Sequence, residues 1–213
     1  MSALEVAARS WFRYCPHCAA SLTRLEVDGR ERAVCTGCGF IQYRNPIAGV
    51  AAVVSELAVL RRFGERATTK MQSDPEYLPL KAPGRVLLGR RATSYRGLWC
   101  FPCGYVEYDE EIRDALVREA LEETGLLVEP GRVIAVESNF HQPENQTVGV
   151  WIEALPVGGT LTPGDELDAL VFFDPASSIP LAFPTDRLVL DRLARPSGTP
   201  PRGATPEPWP PGR

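Results

Sequence analysis

Residues 47 to 54, IAGVAAVV, contain no polar side chain, and an unbroken apolar run of this length predicts a buried strand. The chain then turns polar. Residues 61 to 84 contain Pro75, Pro79, Pro83 and Gly84 and read as a long loop. Apolar positions return at Val86 to Gly89, a second strand, and Leu98 to Tyr105 leads into a segment of different period. There Ile112, Ala115, Leu116 and Ala120 recur at helical spacing and form one apolar stripe. Asp109 is the expected N-cap of this helix, with Glu110 and Glu111 in its first turn, and Gly125 is its expected C-cap. Val133 to Val136, Val148 to Ala154 and Leu170 to Phe173 read as further strands, and Thr185 to Leu193 as a short helix capped near Thr185 or Asp186. Strands around one central helix, with a second helix near the end, define an α/β sandwich.

The first 44 residues follow another logic. Cys15-Pro-His-Cys18 and Cys35-Thr-Gly-Cys38 give the spacing C-x2-C-x16-C-x2-C, which suits four thiolates around one tetrahedral Zn2+. Asp28-Gly29 between the knuckles suits a hairpin tip. So short a module buries too little apolar surface to fold by that alone, so zinc is expected to supply the missing stability. His17 reads as a bystander within the first knuckle. The expected organisation is residues 1–44 as a zinc ribbon with an N-terminal arm, 45–194 as the main α/β domain, and 195–213 as a disordered tail rich in proline and glycine.

Composition narrows the function. The chain has 213 residues, 23 basic and 27 acidic, for a formal net charge of -4, so no global attraction to nucleic acid is expected. No segment approaches the roughly 18 consecutive apolar residues that span a bilayer, and the cysteine spacing favours metal over disulfides. A soluble cytoplasmic protein is expected.

The chemistry concentrates in the run GYVEYDEEIRDALVREALEETGL. On a helix, Glu119, Glu122 and Glu123 stand at i, i+3 and i+4 and put three carboxylates on one face. Like charges so placed destabilise an isolated helix by roughly 0.2–0.5 kcal/mol per pair, so a compensating cation is expected, and oxygen ligands suit a hard ion such as Mg2+. The spacing from Gly104 through Glu110, Arg118, Glu119, Glu122, Glu123 and Gly125 to Leu126 resembles the signature of the Nudix hydrolases at every position. The four-cysteine ribbon, the YRNP segment ending at Pro46, VLLGRR, and Gly97-Leu-Trp before the acidic run are similar to zinc-ribbon Nudix enzymes, which include NADH, FAD and ADP-ribose pyrophosphatases.

The resemblance implies a Nudix-type alpha/beta/alpha sandwich preceded by a small zinc ribbon. It implies that Glu119, Glu122 and Glu123, with the Gly104 carbonyl, hold Mg2+ or Mn2+, and that Arg118 and Glu110 orient them. It further implies hydrolysis of the diphosphate of a nucleoside diphosphate linked to another group, with ADP-ribose or FAD foremost and AMP as a product. NADH or an RNA cap is an alternative substrate. Glu166, in Pro163-Gly-Asp-Glu166-Leu-Asp168, is the candidate general base, with Asp168 second. Trp99, Phe101, Tyr105 and Phe140 are candidates to stack on a base or flavin. Cys100 and Cys103 read as small buried side chains rather than a redox pair, with Cys103 standing where the family carries glycine or alanine. A non-enzymatic alternative is a ligand sensor whose ribbon binds nucleic acid through Arg13, Arg24, Arg30, Arg32 and Arg44. A homodimer is left open.

Overall fold

The computed structural model describes residues 12–64, 84–142 and 144–195. The tail beyond Arg195 and most of the 61–84 loop lie outside the described residues. The chain divides into two compact units, one running up to Ala48 and including Ser138–Val148, the other comprising Gly49–Glu137 and the chain from Gly149 onward.

In the first unit β1 (Leu22–Val27) and β2 (Arg30–Cys35) form an antiparallel hairpin in which Val27 faces Arg30, and β3 (Ile41–Gln42) pairs with β2. The two residues of its turn, Asp28 and Gly29, have φ of 53° and 70°, the left-handed pair that joins twisted strands with little strain. Cys15 and Cys35 are buried, and Cys18 and Cys38 are exposed.

Most of two further sheets lies in the second unit. One has the order β10-β5-β6, from Leu167–Phe173, Val86–Arg91 and Trp99–Cys100; the other has the order β7-β4-β9-β8, from Cys103–Tyr105, Ile47–Val53, Thr147–Gly159 and Leu126–Asn139. Alternation on β4 explains the uninterrupted apolar run: Val50, Ala52 and Val54 enter one core, Ala51 and Val53 the other. On β5, Leu87 goes to the first core while Val86 and Leu88 go to the second. The acidic helix α2 (Ile112–Thr124) covers the first core with Ala115, Leu116 and Ala120, and α3 (Pro184–Leu193) covers the second with Val189 and Leu190. Both faces of the strands are thus covered by helix. Among the described residues no helix is long and apolar enough to cross a membrane.

Three local expectations are corrected. Residues 61–63 are not loop but the end of a helix, α1 (Glu56–Phe63), which begins where the Ser55 side chain accepts from the Ala58 N–H and stops at Gly64 with φ 72°. The N-cap of α2 is Glu111 rather than Asp109, because the Glu111 carboxylate turns to the Arg113 N–H while residues 107–110 form a turn. At α3 the first helical residue is Pro184, whose missing N–H costs nothing there, and Phe183 is the cap. The glycine C-cap of α2 is found as expected: Gly125 has φ 69° and ψ 6°.

Candidate active site

Helix α2 presents its glutamates unequally. Glu122 is exposed, whereas Glu123 is 5% exposed and accepts the Cys103 N–H at 2.7 Å. Glu119 lies against Gly104 so closely that a Cβ added there would sit 2.0 Å from its carboxylate, so only glycine admits this approach. Within the acidic run the three carboxylates thus differ in exposure, Glu123 lying at the edge of the core and Glu122 in solvent.

Arg118 binds the cluster together. Its guanidinium forks onto Glu110 at 2.8 and 2.9 Å and donates to Glu119 at 2.7 Å, to Glu122 at 3.2 Å and to the Tyr105 carbonyl at 3.0 Å. Because Glu110 precedes the helix, it approaches the fork from the far side. The two acids that share this arginine are shifted in opposite directions. Its hydrogen bonds hold Glu110 down to a pKa of about 2, whereas loss of water around Glu119 outweighs Arg118 and raises that carboxyl. Burial pushes Glu123 up to about 8 despite the Cys103 N–H, with Glu119 and Glu166 adding repulsion.

Glu166 reaches this region on a strap. Thr160, Thr162 and Gly164 donate their N–H groups to the carbonyls of Gly125, Thr124 and Glu123 at 3.0, 2.9 and 3.0 Å, so the strap closes the open C-terminal end of α2. Its tight turn requires Gly164, since a Cβ there would meet the Glu122 carbonyl at 2.0 Å. Asp168, the second candidate base, instead pairs with Arg90 at 2.6 Å, and its charge is not among the main influences on Glu119 or Glu123.

Two further charged groups belong to this region, Arg91, which carried no sequence prediction, and Asp186, expected only as a helix cap. Arg91 is a largely buried cation whose charge acts on Glu123 and which lies 3.2 Å from Glu166. The signal for it was an arginine at an inward position of an apolar strand. Asp186, 2% exposed, accepts from the Trp151 indole at 3.2 Å and from the Phe101 N–H at 3.4 Å, and burial raises its pKa to about 7.

Of the aromatic candidates, Trp99 and Phe101 are core residues, and Tyr105 and Phe140 are exposed. The Cys100 thiol is buried, and that of Cys103 is hydrogen-bonded to it and raised well above its usual pKa, first by that bond and then by burial, which suppresses thiolate chemistry.

In the first unit the ligand atoms of Cys15, Cys18, Cys35 and Cys38 lie within 4.8 Å of one another, the only group of three or more potential ligands this close among the described residues. Backbone N–H groups, that of Cys38 foremost, bring Cys35 down to about 7. The Phe40 N–H favours the Cys38 thiolate, but the three neighbouring sulfurs oppose it and its pKa is pushed up to about 12. Four thiolates can thus coexist here only around a cation, and the all-sulfur set fits zinc. The His17 ring meets that of Phe40 at a tilt of 49°, with centroids 4.7 Å apart.

An acidic helix clamped by an internal arginine inside an α/β/α sandwich, with a four-cysteine module before it, defines a narrow class. The family model described as NUDIX domain matches residues 78–193, and the zinc-ribbon model described as Nudix N-terminal matches residues 13–44. The chain belongs to the Nudix family. It is 29% identical over 109 residues to a protein named ADP-ribose pyrophosphatase from Methanocaldococcus jannaschii, covering 51% of this chain and 64% of that one. It is 36% identical over 130 residues to a CTP pyrophosphohydrolase from Escherichia coli, covering 55% of this chain and 92% of that one. Among solved structures, a Nudix hydrolase from Nitrosomonas europaea superposes with a TM-score of 0.57 at 25% identity, covering 86% of this chain and 89% of the other.

Proposed function

We propose that the chain hydrolyses the diphosphate bond of a nucleoside diphosphate linked to another group, with ADP-ribose or FAD as the preferred substrate and AMP as a product. The observation that carries this reading is the pairing of Glu119, packed on the bare Cα of Gly104, with the buried Glu123, whose ionised form is disfavoured first by burial and then by the Glu119 charge. These oxygens, with Glu122 and the Gly104 carbonyl, fit Mg2+ or Mn2+, and all are hard donors. When bound, such an ion neutralises the diphosphate and acidifies a coordinated water.

The remaining work falls to the chain's own side chains. Arg118 fixes Glu119 and Glu122 by charge-assisted hydrogen bonds while Glu110 saturates the other edge of its fork. Glu166, tied to the end of α2 by the strap, accepts the proton of the attacking water, a contribution typically worth ~10²–10⁴ in rate. The four cysteines hold a structural Zn2+. Cysteines committed to metal suit a reducing compartment such as the cytoplasm.

The name of the archaeal relative favours ADP-ribose. A second substrate class, nucleoside triphosphates, is favoured by the relative named CTP pyrophosphohydrolase, which is matched over most of its length. Incubation with Mg2+ and a panel of ADP-ribose, FAD, NADH, CTP and capped RNA decides between them. AMP from ADP-ribose or FAD at the highest kcat/KM is expected; none from either rejects the preference. Absence of turnover on the whole panel, with salt-dependent DNA binding by the intact chain, would favour the sensor reading instead.

A further inference from the structure

Glu166 would be an ill-defined base if left alone, because its side chain is 61% exposed and it lies in a turn. Its backbone is held: the Ala92 N–H donates to the Glu166 carbonyl at 2.8 Å, and Leu167 pairs with Arg91 where β10 joins β5. Its carboxylate has a dedicated partner. The Arg91 side chain, 9% exposed, places Nη2 at 3.2 Å from Glu166 Oε2. The guanidinium is itself locked, with Nε donating to the Ser94 carbonyl and Nη2 to Ser94 Oγ, both at 2.9 Å. A buried planar fork held by Ser94 at Nε and Nη2 can aim one N–H with little loss of side-chain entropy.

Building on the role of Glu166 as proton acceptor, we propose that Arg91 is a positioning residue that, braced by Ser94, holds the Glu166 carboxylate toward Glu119 and Glu123. The strand register makes this arrangement possible. β5 and β10 are antiparallel, so the last residue of β5 arrives beside the first of β10, and the 92–97 turn returns Ser94 onto the same guanidinium. Phe183 closes the far side, with the guanidinium carbon 5.7 Å from its ring centroid, and Tyr95 lies edge-on to that ring at 5.6 Å.

The test is a double-mutant cycle on the full chain, reading kcat and KM for ADP-ribose with Mg2+. Arg91→Met is expected to lower kcat about 10- to 100-fold, the loss of one hydrogen bond to a charged group, with KM changed less than about threefold. Arg91→Lys should fall between that variant and the wild type. In a Glu166→Gln background the same Arg91→Met change should alter kcat by less than about twofold, because its effect runs through the missing carboxylate. Multiplicative losses in the double variant would overturn the proposal. If Arg91→Met does not fold, Ser94→Ala, which removes one brace from an exposed residue, should lower kcat a few-fold in the wild type and not in Glu166→Gln. Equal loss in both backgrounds would again reject it. Undiminished turnover by Glu166→Gln alone would sink the base assignment, whereas a slow Glu166→Gln beside a fully active Arg91→Met sinks only the role of Arg91.

Discussion

Gly164→Ala tests how the strap delivers Glu166. Gly164 has no left-handed φ, so alanine suits its backbone and the whole perturbation is steric. The new Cβ would stand 2.0 Å from the Glu122 carbonyl oxygen, 3.0 Å from its carbon and 3.2 Å from the Glu123 Cα. All three are backbone atoms of α2 and cannot rotate aside. Relief requires the strap to move by more than about 1 Å, since ordinary contact begins near 3.4 Å. That movement breaks the Gly164 N–H to Glu123 carbonyl bond and weakens those from Thr162 and Thr160. Losing one bond and straining two costs about 2–3 kcal/mol, and a domain of this size then melts some 5–10 °C lower. Glu166, two residues on, is displaced with the strap, and a shift of about 1 Å is enough to cost ~10²-fold in kcat. Thermal unfolding followed by circular dichroism, with kcat on ADP-ribose, measures both. A variant that melts within 1 °C of wild type and turns over within twofold would refute the claim that the strap is seated on the end of α2.

Arg118→Met removes the shared clamp of Glu110, Glu119 and Glu122 and should lower kcat at least ~10²-fold, with Arg118→Lys only partly restored because a point charge replaces the fork; steady-state kinetics decide. Glu56→Gln leaves the buried Arg85 guanidinium without its carboxylate partner and should cost about 3–5 kcal/mol in urea unfolding, whereas a cost below 1 kcal/mol would show that water reaches the pair. Asp186 has a folded pKa of about 7 against an ordinary 3.8, so its contribution to stability is complete below pH 3.8 and is lost as pH rises through 7. Asp186→Asn should accordingly flatten the decline in unfolding free energy between pH 4 and 7, by an amount on the order of 3 kcal/mol, and an unchanged slope in urea titrations would show that Asp186 stays ionised. Stripping zinc with a thiophilic chelator should collapse amide protection in residues 12–44 while leaving the β4 and β5 core protected, as read by hydrogen exchange.

What the sequence made legible was set by local chemistry. The acidic helix, its glycine cap, the ribbon hairpin at Asp28-Gly29 and the cysteine cluster each depend on residues close together in the chain or on one fixed spacing. Helix α1 was missed although Ser55, Glu56, Arg61, Arg62 and Gly64 are orderly end signals, because its eight residues make little more than two turns, too few for the apolar pair Val59 and Phe63 to stand out as a period. The division of β4 between two cores was hidden because both of its faces are apolar. The inward turn of Glu123 depends on the Cys103 N–H delivered by β7, and the Arg91 to Glu166 contact joins residues 75 positions apart. Neither spacing nor periodicity reports such pairings; only the sheet register does.

On the proposed function, Glu119, Glu122 and Glu123 gather a divalent ion at Gly104. Anomalous scattering from crystals grown with Mn2+ and a non-hydrolysable ADP-ribose analogue tests it most directly. A manganese peak is expected within coordination distance of Glu119 and Glu123, with the analogue's diphosphate on the ion. A peak elsewhere, or none while Arg118 keeps Glu119 and Glu122 to itself, would contradict it.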